Sequence, residues 1–111
     1  MLSSSTRLTT RLFKETIEKG RIFHSPFFIV RVVKSQGLSR FSVSAPKKVA
    51  KTAVERNKIR RRVYSALRHV YPKVQSGFHG IFIAKSAVVK SSFTELSSDI
   101  SSLFVKIGLL K

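Results

Sequence analysis

The 111-residue sequence predicts a single α+β domain, with about three helices packed on one small mixed or antiparallel sheet. Apolar residues recur at helical spacing near both ends of the chain and in its middle. Short runs of β-branched and aromatic residues lie between these segments, separated by turns that contain Gly or Pro. The predicted order is α-β-β-β-α-β-α, with residues 1–6 flexible and no domain boundary or internal repeat.

The first element is a predicted helix over Thr10–Lys19, with Thr10 as its cap and Gly20 in a left-handed conformation at its end. Its apolar face is formed by Leu12, Phe13, Thr16 and Ile17. Ser25-Pro26 then indicates a turn before the sheet begins.

Two strands are expected next, at Phe27–Val33 (FFIVRVV) and Arg40–Ser44 (RFSVS). The short loop between them contains Gly37, so we expect the two strands to pair as an antiparallel hairpin. A third short strand is expected at Lys48–Ala50, after Pro46.

The longest helix is predicted over Arg56–Val70 and ends at Tyr71-Pro72. Its buried face should be Ile59, Val63, Ala66, Leu67 and Val70. Gly77 and Gly80 should bracket a turn before a strand at Ile81–Lys85.

A last amphipathic helix is expected around residues 93–107, with Thr94 or a neighbouring Ser near its start and Gly108 at its end. Its apolar stripe is Phe93, Leu96, Ile100, Leu103, Phe104 and Ile107. We expect Phe93 and Phe104 to be core residues.

Charge gives the clearest indication of function. The chain contains 22 Lys and Arg but only five Asp and Glu, which gives a net charge of +17. This charge indicates a polyanionic partner, with nucleic acid as the first candidate. A membrane surface is disfavoured because the cations are not confined to one amphipathic helix. The longest apolar runs are too short to span a bilayer, and the absence of cysteine excludes disulfides and thiolate chemistry.

The basic character of the central helix is concentrated on one side. A helical wheel points Asn57, Lys58, Arg61, Tyr64 and Arg68 outward, with Arg60 and Arg62 on the flanks. Guanidinium groups match phosphate oxygens bidentately, and an amide such as Asn57 can reach a 2′-hydroxyl or a base edge. A solvated charged face is the alternative, but one acid cannot pair with so many arginines.

The acids and histidines predict no catalytic residue and no metal site in the protein itself. Glu15 and Glu18 are expected on the solvent side of a short helix, and Glu95 suits a helix N-terminus. The three histidines are scattered along the chain. An independent nuclease is therefore disfavoured.

Residues 53–62 (AVERNKIRRR) resemble the signature of the bacterial ribonuclease P protein family, an Ala-Val-x-Arg-Asn-Arg stretch followed by a basic helix. Flanking segments agree in order. They are Arg7-Leu8, Phe13, Gly20, Phe27–Val32, Phe41–Ser44, Lys47–Val49, Gly77–Lys85 and Ser92–Leu103. The resemblance covers about residues 7–107 and implies a ribosomal protein S5 domain 2-like architecture.

This resemblance implies a cytoplasmic subunit of an endoribonuclease that removes the 5′ leader of precursor tRNA, with catalysis by the RNA subunit and its Mg²⁺. Its partners would be ribonuclease P RNA and precursor tRNA, with no membrane and no further protein required. The implied contacts to the catalytic RNA are Arg56, Asn57, Lys58, Arg60, Arg61, Arg62, Tyr64, Arg68, Lys47 and Lys48. The implied leader-binding cleft contains Phe13, Ile17, Phe27 and Arg31.

Several positions depart from the family pattern. Lys58 stands where Arg is usual, Tyr64 where Arg is frequent, Ile17 where an aromatic residue is common and His79 where an acid is common. Another structural RNA-binding protein, such as a small ribosomal protein, remains the main alternative. A DNA-reading helix is less favoured because no helix and turn of the helix-turn-helix kind precede it. The basic, acid-free first residues could also suit a transit peptide, although they run directly into a predicted helix.

Overall fold

The structure, a computed structural model, describes residues 8–108, so the expected flexibility of residues 1–6 lies outside the described residues. Three α-helices and four strands are present in this range, joined by two short 3-10 helices at Tyr71–Lys73 and Ser86–Lys90. The elements are α1 Thr10–Lys19, β1 Arg21–His24, β2 Phe28–Lys34, β3 Arg40–Ser44, α2 Ala53–Val70, β4 Phe78–Ala84 and α3 Phe93–Ile107. The predicted α+β class and the order of element types, α-β-β-β-α-β-α, are confirmed, although one of the three strands before α2 is a different segment from the one predicted.

The strands lie in the order β1-β2-β4-β3, with β1–β2 and β2–β4 antiparallel and β3–β4 parallel. The expected hairpin between β2 and β3 is therefore wrong, because β4 lies between them. Helix α2 carries the chain from the end of β3 back to the start of β4, which is the kind of crossover that a parallel pair requires. The loop at Gly37 (φ 78°) turns the chain without pairing its flanking strands.

One predicted strand is absent and one strand was missed. Residues 47–49 form a turn instead of a strand, since the amides of Val49 and Ala50 both donate to the Pro46 carbonyl. Strand β1 escaped prediction because its four residues, RIFH, are mostly exposed and carry no alternation of burial. Strand β1 pairs with β2, so it takes the place in the sheet of the strand that had been predicted at residues 48–50.

Alternate residues of β2 face opposite layers. Phe28, Val30 and Val32 join residues of α2 and α3 in the core cluster. Between them, Arg31 points the other way and donates to the Ile17 carbonyl of α1. The sheet is therefore covered by α1 on one face and by the packed pair α2 and α3 on the other.

The helix ends explain two further differences from prediction. The cap of α1 is Thr9, whose side chain accepts from the Leu12 amide, and Gly20 is extended (φ −70°) instead of left-handed because β1 begins at the next residue. Gly20 is still needed, since a Cβ there would lie 2.4 Å from the Thr16 carbonyl oxygen.

The limits of α3 follow the sequence more closely. Ser92 and Glu95 form a reciprocal capping box, and Gly108 ends the helix in the left-handed conformation (φ 86°), as expected. Phe104 is fully buried, but Phe93 is 48% exposed, so its predicted core position is wrong. Phe93 occupies the first helical position, and the buried stripe of α3 starts one turn later, at Leu96.

Candidate nucleic-acid interface

Helix α2 begins at Ala53, three residues before the predicted start. Thr52 caps it, with its hydroxyl accepting from the Glu55 amide at 3.2 Å and contacting the Glu55 carboxylate at 3.0 Å. Glu55 is the helix's one acid, and it is occupied in the first turn, where it complements the helix dipole. Glu55 lines one surface depression together with Lys58 and Arg61, whereas Arg68, further along the helix, has no acid of α2 near it.

The outward side of α2 carries the exposed side chains Asn57, Lys58, Arg61 and Arg68. Arg60 is half-buried, and its guanidinium donates to the Asn57 side-chain oxygen. Lys47 and Lys48, in the turn that precedes the helix, are also exposed. We call the set Lys47, Lys48, Asn57, Lys58, Arg60, Arg61 and Arg68 the α2 basic surface.

Two of the predicted RNA contacts also use their guanidinium groups within the protein. Arg56 donates to the carbonyls of Ala50 and Lys51, at 3.1 and 2.9 Å, and so secures the turn before α2. Arg62 donates to the carbonyl of Ser91, and more weakly to that of Val88 at 3.5 Å. These two side chains fix α2 to its neighbours, and both remain half-buried.

The prediction that Tyr64 points outward is wrong. Its side chain is 2% exposed, and its hydroxyl accepts a hydrogen bond from the Val43 amide at 3.1 Å. Because β3 is an edge strand, that amide has no strand partner on its outer side, and Tyr64 satisfies it. The wheel missed this because the sheet packs against α2 beyond the apolar stripe.

The second predicted site lies on the α1 face of the sheet. Arg31 donates to the Ile17 carbonyl at 2.8 Å, so the end of α1 and the middle of β2 are joined there. Phe13 lies one turn before Ile17, and all three residues are half-buried. The structure thus brings together Phe13, Ile17 and Arg31.

The position of Phe27 differs from that of those three residues. It precedes β2 and packs against the core cluster. It also lies four residues before Arg31, about 13 Å along an extended chain. Its proposed place in the same cleft gains no support from the fold.

Half-buried residues beside Arg31 on this face were missed by the sequence reasoning. The strand register aligns Ile29 of β2 with Ile83 of β4, and Ile83 with Ser44 of β3. Ser42 lies across from Ile81 on the same face. The alternation of residues within each strand indicated which side chains share a face of that strand. Because the strand pairing was predicted wrongly, the sequence did not show that the three strands place these residues on one surface.

His79 is buried on the same face, where it is aligned with Val33 and Arg40. Burial lowers the pKa of His79, and the nearby Arg40 charge lowers it further, while Glu15 on α1 opposes the change. The neutral imidazole is therefore favoured under α1.

The remaining acids do not build a metal site. The Asp99 carboxylate accepts from the Ser25 hydroxyl at 2.6 Å, and its pKa is raised by burial, an effect that Ser25 and Lys85 partly oppose. Between residues 8 and 108, no three His, Asp or Glu side chains lie close enough together to hold a metal ion. Acids and histidines so dispersed do not fit a Mg²⁺ ion held by the protein. Within the same range, no helix has the length and apolar character needed to cross a bilayer.

Comparison with known proteins identifies the family of this chain. The family model described as Ribonuclease P matches residues 2–108. The ribonuclease P protein component of Symbiobacterium thermophilum is 33% identical over 113 residues, which cover 99% of this chain and 97% of that protein. This chain belongs to the ribonuclease P protein family. It is thus a protein component of ribonuclease P, a ribonucleoprotein of tRNA processing, and RNA is its partner.

Solved ribonuclease P proteins share the fold. A mutant of the Staphylococcus aureus protein superposes with a TM-score of 0.82 at 19% identity, over 96% of this chain and 91% of that one. The Thermotoga maritima protein superposes with a TM-score of 0.79 at 22% identity, over 90% of this chain and 96% of that one. At these identities the likeness extends to the fold, while the family assignment rests on sequence.

Proposed function

We propose that this protein binds the catalytic RNA of ribonuclease P through the α2 basic surface and the 5′ leader of precursor tRNA through the α1 face of its sheet. It would thereby assist the Mg²⁺-dependent removal of the leader that gives the mature tRNA 5′ end. The observation that carries the proposal is the row of exposed cations on α2, on a helix whose single acid is occupied by its own cap.

The α2 basic surface suits a folded RNA because it is rigidly held. The core stripe of α2 is buried, and Arg56 and Arg62 anchor the helix to adjoining segments. The exposed side chains of Lys58, Arg61 and Arg68 therefore project from a fixed frame. Fixed cations that displace condensed counterions from RNA supply much of the binding free energy.

The α1 face suits a single strand because it combines apolar and polar groups on a shallow surface. Phe13 and Ile17 offer apolar contact, Ile29 and Ile83 extend it across the sheet, and Arg31 adds a charge. An unpaired base can stack on the aromatic ring of Phe13 with little sequence preference. Phe27 is left out of this surface, and Tyr64 is left out of the surface for the catalytic RNA.

The chemistry of cleavage is assigned to the RNA subunit, with the protein alone inert. Support comes from the charge of the chain and from the absence of a carboxylate cluster among residues 8–108. RNA phosphates would hold the Mg²⁺, which would supply Lewis-acid chemistry for phosphodiester hydrolysis when bound. We further propose that the subunit acts in the cytoplasm and needs no other protein.

The dependence of RNA affinity on salt tests the α2 basic surface. The variant Lys58→Ala/Arg61→Ala should bind ribonuclease P RNA more weakly and lower the slope of log K against log salt by about 1.4–1.8, at 0.7–0.9 for each lost phosphate contact. Lys106→Ala removes an exposed cation from α3 and is the matched control. An unchanged slope in the double variant would refute this surface as the main RNA contact.

Comparison of two substrates tests the α1 face. Ile17→Ala should weaken the binding of precursor tRNA by the assembled holoenzyme while leaving mature tRNA, which lacks a leader, unaffected. Equal losses for both RNAs would place the leader elsewhere.

A further inference from the structure

A concave pocket lies where the end of α2 meets the start of α3, apart from the α1 face. Its volume is about 290 Å³, and His69, Lys73, Phe93, Thr94, Ser97 and Ser98 line it. We call it the α2–α3 pocket. This volume lies just below the usual range of small-molecule sites, so the pocket can take a single base but not a duplex.

An exposed aromatic ring forms its rim. Phe93 is 48% exposed although it is a large apolar residue, and the His69 ring meets it edge-on, with centroids 6.0 Å apart and planes at 69°. The edge-to-face contact fixes the Phe93 ring and leaves part of its surface uncovered. A fixed ring with an open side is what stacking of an unpaired base requires.

Polar groups around the ring match the rest of a nucleotide. Lys73 is exposed and can meet a phosphate, and hydroxyl groups of Thr94 and Ser98 can serve a base edge. Ser97 also lines the pocket, and its Oγ is buried without a hydrogen-bond partner in the part of the chain that the structure describes. Such an unsatisfied group is unusual, and a ligand with a hydrogen-bonding edge in this pocket is one way to satisfy it.

The pocket also continues the direction of the α2 basic surface. Lys58, Arg61 and His69 are exposed on the same helix, and His69 follows Lys58 by 11 positions, about 16 Å along the axis. An RNA strand lying along this surface would reach the pocket without crossing an acidic group of α2.

We propose that the α2–α3 pocket binds one unpaired nucleobase of RNA, stacked on Phe93. The proposal adds a site to the function given above and depends on it only in that the ligand is RNA. Its test uses the free protein and is independent of leader removal.

The experiment is a titration of the ¹⁵N-labelled full chain with adenosine 5′-monophosphate, followed by amide shifts. Ribose 5-phosphate, which has the phosphate but no base, is titrated in parallel. We expect the nucleotide to shift the amides of His69, Phe93 and Ser97, and ribose 5-phosphate to leave them in place. Equal shifts with both compounds would reveal an anion site at Lys73 and overturn the proposal, as would no shift with either.

Substitutions of Phe93 separate stacking from general apolar contact. Phe93→Ala and Phe93→Leu should each weaken adenosine 5′-monophosphate binding roughly 5- to 150-fold, the equivalent of about 1–3 kcal/mol of stacking. Phe93→Tyr should retain it. Val105→Ala, which removes another exposed apolar side chain of α3, is the control for folding. Undiminished binding by Phe93→Leu would also overturn the proposal.

The two proposals fail in different ways. A pocket that takes no nucleotide leaves the salt dependence of the α2 basic surface untouched. Conversely, a refuted α2 basic surface does not remove amide shifts produced by a free nucleotide at Phe93.

Discussion

The arginine residues of α2 have two separate roles. Arg61 and Arg68 are exposed, whereas Arg62 reaches the carbonyl of Ser91 and Arg56 reaches those of Ala50 and Lys51. A helical wheel gives the direction of each Cβ, but an arginine side chain is long enough to turn back to a neighbouring carbonyl. The sequence therefore predicted which helix is basic but not which of its cations are available to RNA.

Tyr64 shows for an aromatic residue that a helical wheel does not predict which side chains are available to RNA. Removal of its hydroxyl in Tyr64→Phe would leave the Val43 amide without its acceptor in a buried position. We expect the free energy of unfolding to fall by about 1–3 kcal/mol, measured by urea denaturation, with no change in RNA affinity. Ser65→Ala, at an exposed neighbouring position, is the control. Weaker RNA binding at unchanged stability would return Tyr64 to the RNA interface.

His79 should make stability depend on pH. Its pKa is lowered in the folded protein, mainly by burial, so the unfolded chain takes up this proton first as the pH falls through about 6.5. The free energy of unfolding should therefore decrease below that pH and be unaffected by His79 above it. Asp99 has the opposite effect on stability. Because its pKa is raised in the folded protein, its protonation stabilises the folded state as the pH falls from that raised pKa towards 3.8.

Comparison of variants isolates the histidine from Asp99. In His79→Gln, the loss of stability between pH 7.5 and pH 5.5, followed by urea denaturation, should be smaller than in the wild type. His24→Gln replaces an exposed histidine and should behave as the wild type does. Identical pH profiles for all three proteins would contradict a buried, neutral His79.

At the scale of elements, local patterns predicted the helices well and the sheet poorly. Strand β3 was predicted with its observed limits. The apolar stripes of α2 and α3 predicted most of their core residues, with two errors: Tyr64 is buried although it was expected to point outward, and Phe93 is exposed although it was expected in the core. Strand pairing, in contrast, depends on contacts between distant segments, and no local sequence pattern predicted that β4 would lie between β2 and β3. The α1 face could be assembled only once that order was known.

The junction of α1 and the sheet depends on Gly20. In Gly20→Ala the new methyl carbon would lie 2.4 Å from the Thr16 carbonyl oxygen and 3.2 Å from the Val32 nitrogen, both of them backbone atoms. We expect α1 to be displaced, with a loss of about 1–3 kcal/mol in the free energy of unfolding by denaturation. Binding of precursor tRNA should suffer more than binding of ribonuclease P RNA, because α2 lies on the other face.

Gly37→Ala is the matched control for this prediction. Its added methyl group would meet open space, so only the positive φ opposes it. A Gly20→Ala protein no less stable than Gly37→Ala, with unaltered precursor binding, would contradict the role of this junction.

For the whole molecule, a net charge of +17 on 111 residues favours the binding of RNA at any part of the surface. Three of the five acids are used internally, Glu55 and Glu95 in helix caps and Asp99 with Ser25. Few acids therefore remain to offset the surface cations, and mutual repulsion opposes the compact fold until a polyanion neutralises it. The composition alone indicated this partner, and the family match then specified ribonuclease P.

The most direct test of the account is cleavage of precursor tRNA at low Mg²⁺ by a bacterial ribonuclease P RNA, with and without this protein. The RNA alone should cleave slowly, the protein alone should not cleave, and the mixture should produce the mature 5′ end much faster. Release of the leader by the protein alone, or no acceleration with a cognate RNA, would contradict the account.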